Sequence, residues 1–90
     1  MLKKISDMCY MCRTSHATFL LRKHKYGSYN CGTVWDLIAI VGIGSGHVIA
    51  EFATQDDGTG NMCRDCECNK IWELNDMLEA ANSMIQIFEK

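Results

Sequence analysis

Residues 34–54, VWDLIAIVGIGSGHVIAEFAT, decide the fold. Two runs rich in β-branched residues flank a glycine-rich centre, Gly42 to Gly46. Glycines give the backbone freedom for a tight reversal, and the flanks fit a pleated surface. A helical alternative exists. Val34, Leu37, Ile38 and Val41 also share a helical face, with Thr33 as a cap. The succession Ile38, Ile40 and Val41, then Val48 and Ile49, favours a β-hairpin. These glycines do not make a dinucleotide loop, because GxGxxG needs glycine at His47 and a helix in place of VIAEF.

The flanks of the hairpin read outward from it. HATFLLRKH (residues 16–24) begins with β-branched and aromatic residues and predicts a strand. KYGSYN (25–30) follows as a loop, since Gly27, Ser28 and Asn30 are turn formers. QDDGTGN (55–61) is a second turn-rich segment, so Asp56 and Asp57 read as turn residues rather than ligands of a hard cation. From Ile71 onward, apolar residues fall at Leu74, Leu78, Ala81, Ile85 and Phe88, in steps of three and four, and Met77 and Met84 widen the stripe. That spacing predicts an amphipathic helix of about five turns. Asn69 is its expected N-cap. The expected fold is α+β, an antiparallel sheet packed on a long C-terminal helix.

Ninety residues make one domain, taken as 1–90. A chain of this length buries about 60–65% of its unfolded surface, so its core is thin and gains from a metal, disulfides or a partner. No apolar h-region follows the charged start MLKKISDMCYMC, and the longest apolar run, Leu37–Ile43, is too short to span a bilayer. The expected setting is a reducing cytoplasm without membrane contact. Charge is polarised. Residues 1–45 carry six basic groups against two acidic ones, a net of +4, and residues 46–90 carry three against nine, a net of −6.

Six cysteines make up much of the remaining signal. Cys9 and Cys12 form one CxxC pair, and Cys63 and Cys66 form another. A CxxC turn presents two sulfurs to one ion, and two such turns complete a tetrahedral zinc shell. One structural zinc ion on Cys9, Cys12, Cys63 and Cys66 is therefore expected, offsetting the closure entropy of the long intervening segment. Iron–sulfur ligation and disulfides are the alternatives. Cys68, Cys31 and His16 are substitute ligands, with His16 favoured over His24 and His47 because it lies four residues after Cys12. The order of knuckle, strands, and knuckle at a helix start resembles the layout of treble-clef zinc folds. The resemblance covers the two cysteine clusters and the helix start, and it implies a small zinc-stapled domain. There the helix N-terminus would stabilise thiolate charge.

Two binding surfaces follow. The acidic helix, with Trp72, Met77 and Met84 beside its stripe, suits a protein partner, since methionine-rich flanks adapt to what they touch. The heptad-compatible stripe also suits a homodimer seam. The segment RKHKYGSY interleaves Arg22, Lys23 and Lys25 with Tyr26 and Tyr29, a pattern that grips single-stranded nucleic acid. A nucleophilic set of Cys31, a histidine and Asp36 would need a base in hydrogen-bond reach, and nothing in the spacing provides one. The expectation is a small non-catalytic zinc protein that binds another protein as a regulator, adaptor or inhibitor. A nucleic-acid-binding zinc module is the alternative.

Overall fold

The computed structural model describes residues 1–25, 33–54 and 71–89. Among the described residues six strands form one sheet in sequence order: β1 (Lys3–Ser6), β2 (Cys9–Arg13), β3 (Thr18–Lys25), β4 (Thr33–Ile40), β5 (His47–Thr54) and β6 (Ile71–Trp72). The first five make an antiparallel meander, and β6 joins β5 in parallel through Ala53 and Thr54. The helix α1 (Leu74–Phe88) packs with the sheet in an α+β fold.

The expected hairpin is β4–β5. Its register runs from Thr33 opposite Thr54 to Ala39 opposite His47, with a bulge at Ile49. Gly42 takes φ +66° at the turn, a left-handed conformation that glycine adopts without Cβ strain. Gly46 lies against Ile38 and Ile40, and any side chain there would meet both. The turn into β3 is tied by Thr14, whose Oγ1 accepts hydrogen bonds from the His16 and Ala17 amides.

Period-two alternation sorts the strands into two faces. Phe19 and Leu21 on β3, Trp35, Leu37 and Ala39 on β4, and Phe52 and Thr54 on β5 are buried on one face. The helix lays Met77, Ala81 and Ile85 against this face, and Leu74 and Leu78 pack beside them. The expected stripe is thus the core face of the helix. Leu2 N–H donates to Asn82 Oδ1 at 2.9 Å, and the Phe19 and Phe88 rings meet edge-on at 5.3 Å. These contacts tie the C-terminal half of α1 to β3 and to the residue that precedes β1. At the far side, the Phe52 and Trp72 rings meet edge-on at 5.2 Å. Buried Trp35 Nε1 donates to Thr54 Oγ1 at 3.2 Å.

The helix starts later than its periodicity predicts. Ile71 and Trp72 are strand residues paired with β5, and Glu73 caps α1 by accepting the Asp76 amide on its carboxylate at 3.3 Å. Two bulky residues of high strand propensity beside an available edge outweigh the helical register there. A carboxylate at the helix start also suits the helix dipole. Asn69, the expected cap, lies outside the described residues.

Candidate functional site

Cys9 and Cys12 stand on β2, three residues apart. In a turn that spacing converges two sulfurs, whereas in a strand it sends them to opposite faces, with α-carbons about 10 Å apart. Cys12 pairs with Phe19 in the register, is 7% exposed and belongs to the core under the helix. Cys9 pairs with Arg22 on the other face, is half-buried, and its Sγ lies 3.6 Å from the Tyr10 carbonyl oxygen, which it can donate to. The expected Cys9–Cys12 knuckle is therefore replaced by a strand, and these two residues do not fit a shared ion. Among the described residues no group of three or more His, Cys, Asp or Glu side chains converges as a metal site. His16 is exposed in the β2–β3 turn. Cys31, Cys63, Cys66 and Cys68 lie outside the described residues.

The basic segment divides in the same way. Arg22 is exposed on the outer face of β3. Lys23 turns to the helix side, with its Nζ 5.9 Å from the centre of the Trp35 ring. Neighbouring cations on a strand alternate faces, so a cluster in sequence becomes two separated charges in space. Tyr26 and Tyr29 lie outside the described residues, as does the side chain of Lys25.

The helix separates the three residues expected to meet a partner. Met77 is 0% exposed and fills the core, so it presents no surface and leaves that set. Trp72 is half-buried against Phe52. Met84 is exposed, and Ile87 (69% exposed) and Phe88 (43%) are exposed beside it. Positions 84, 87 and 88 are neighbours on a helix surface. Asp76 and Glu79 are exposed on the same helix, one to three turns earlier. The periodicity assigned Phe88 wholly to the core stripe and set Ile87 apart from it. Ile87 facing away from an otherwise complete stripe was the signal that an apolar surface existed at this end.

The outer sheet face is the second surface missed. Leu20, Ile38 and Ile40 occupy the strand positions opposite the core face, where a solvated sheet would carry polar residues. The signal was legible in FLL and LIAI, which are apolar in both parities.

Among the described residues no helix is long and apolar enough to cross a membrane. Comparison with protein-family models, with curated proteins and with solved structures returns no match.

Proposed function

We propose that this chain is a small non-catalytic protein that binds another protein, as a regulator, adaptor or inhibitor, through the end of α1. The observation that supports this reading is the exposed cluster Met84, Ile87 and Phe88 on an acidic helix. Phe88 is anchored on Phe19, so its ring is presented from a fixed position rather than on a free tail. A rigid aromatic anchor beside a methionine and an isoleucine is the kind of surface that concentrates binding energy at a protein interface. The acidic residues Asp76 and Glu79 favour a partner with a basic rim.

The nucleic-acid reading is the alternative, and one experiment separates the two. Binding to single-stranded and duplex oligonucleotides is measured against salt, alongside the partner that co-purifies with tagged chain from its native source. Met84→Glu with Ile87→Glu should abolish that protein association, while oligonucleotide binding stays weak at all salt concentrations. Steep salt-dependent oligonucleotide binding, lost in Arg22→Ala/Lys23→Ala, would overturn the protein-binding reading.

For the metal, our reading keeps one zinc ion on Cys63 and Cys66, with the rest of its shell assigned by experiment. A treble-clef-like staple from the chain start would have to use Cys9 without Cys12. Native mass spectrometry should find one zinc per chain in Cys12→Ser and none in Cys63→Ser/Cys66→Ser. Loss of the ion in Cys12→Ser would contradict this assignment.

A further inference from the structure

The helix covers one face of the sheet, and the other face is also apolar. Met11 on β2, Leu20 on β3, Ile38 and Ile40 on β4, and Val48 on β5 share that outer face by register; Ile38 is buried there, and Met11, Leu20 and Ile40 are half-buried. The bulge contributes to this. Ile38 pairs with Val48 and Leu37 with Ala50, so the extra residue Ile49 joins Val48 on the outer side, where they are 38% and 53% exposed. A row of charge bounds the patch, running Arg22, Asp36, Glu51 across β3, β4 and β5.

We propose that this outer face is the interface between two copies of the chain, packed sheet on sheet. This inference is independent of the helix surface proposed above. Three arguments commit it to a second copy. The first is shape. Two sheets pack about 10 Å apart and about 30° from parallel because each carries the same twist, and a second copy supplies an identical twist. The second is size. Strands β1–β5 hold 33 residues, and at about 3.3 Å by about 4.8 Å each they cover roughly 520 Å² in projection. Side-chain relief raises the accessible area towards the roughly 800 Å² per partner of a standard interface. The third is charge. A two-fold axis along the strands and through β4 lays β3 of one copy over β5 of the other. Arg22 then faces Glu51 of the second copy, and the pair occurs twice. The two Asp36 side chains lie near the axis, each beside the Arg22 of its own copy. A two-fold laid across the strands along the charge row would set Arg22 against Arg22, so the row disfavours that arrangement.

Pairing edge to edge is the competing route to a dimer, and both edges are guarded against it. Strand β1 carries Lys3, Lys4 and a register irregularity, and β5 is bulged at Ile49 and covered by β6 at Ala53 and Thr54. Charge, bulges and short edge strands are the usual means of blunting a sheet edge.

Sedimentation equilibrium of the full chain, from sub-micromolar to several hundred micromolar, tests the proposal. The expected result is a reversible monomer–dimer equilibrium. Arg22→Glu and Glu51→Arg should each weaken the dimer by about tenfold or more, and the double exchange should restore it. Both residues are exposed, so a circular dichroism spectrum should show all three variants folded. A chain that stays monomeric throughout, or a dimer whose dissociation constant is the same in the wild type and both single variants, would overturn the proposal.

Discussion

At Gly46 the backbone closes over Ile38 and Ile40, and hydrogen is the only side chain that fits. A Cβ there would meet Ile38 Cγ2 and would lie 3.1 Å from Ile40 Cγ1. Ile38 is itself buried, so it has little room to yield. Gly46→Ala should therefore destabilise the fold by about 1–3 kcal/mol, the usual cost of overpacking. Thermal unfolding would show this as a drop of roughly 4–8 °C per kcal/mol in a domain of this size. Gly44→Ala is the control, since the nearest atom to a Cβ there is the Val41 carbonyl oxygen at an ordinary 3.7 Å. A second single-residue prediction concerns Trp35. Trp35→Phe keeps most of the ring and removes the indole N–H that donates to Thr54 Oγ1, which should cost about 1–2 kcal/mol. Urea unfolding reads this directly, as a lower midpoint with an unchanged slope.

The helix and the hairpin were the elements legible from sequence, for a physical reason. The stripe at Leu74, Leu78, Ala81 and Ile85 has a period that only a helix satisfies, and the hairpin joins β-branched runs through glycines. The first two strands carry no such signal. CYMCR is short, and CxxC has one meaning in a turn and another in a strand, while nothing local in the sequence chooses between them. Longer-range pairing with TFLLR decides it, since Cys9–Arg13 lies in register with Thr18–Arg22. The helix start shifted for the same reason, because β5 offers Ile71 and Trp72 an edge that the periodicity could not reveal. The stripe alone also could not say which methionine is core. In the fold Met77 is sealed and Met84 is exposed. Met77→Ala should accordingly cost about 2–5 kcal/mol through the cavity it leaves, and Met84→Ala about 0.5 kcal/mol or less. Chemical denaturation of the two variants side by side checks this. Similar losses in both would mean that the helix faces the sheet in a different rotation.

At the scale of the whole molecule, the sheet has two unlike faces. One is covered by α1, and the other carries Cys9, the charge row and an apolar patch whose exposed members are Val48 and Ile49. The α+β class was legible, because it depends on the type of its elements. The candidate sites were not, because they depend on which face each residue takes. Facing is set by strand register, and a single strand in β2 separates Cys9 from Cys12 just as β3 separates Arg22 from Lys23. The most direct test of this division is thiol reactivity at Cys9 and Cys12. Native chain at sub-micromolar concentration is pulsed with iodoacetamide, and each cysteine is read by peptide mass spectrometry. Cys9 should be alkylated many times faster than Cys12, and Cys12 should react only when the chain unfolds. Equal rates at the two positions, or Cys12 reacting first, would contradict a strand that places them on opposite faces.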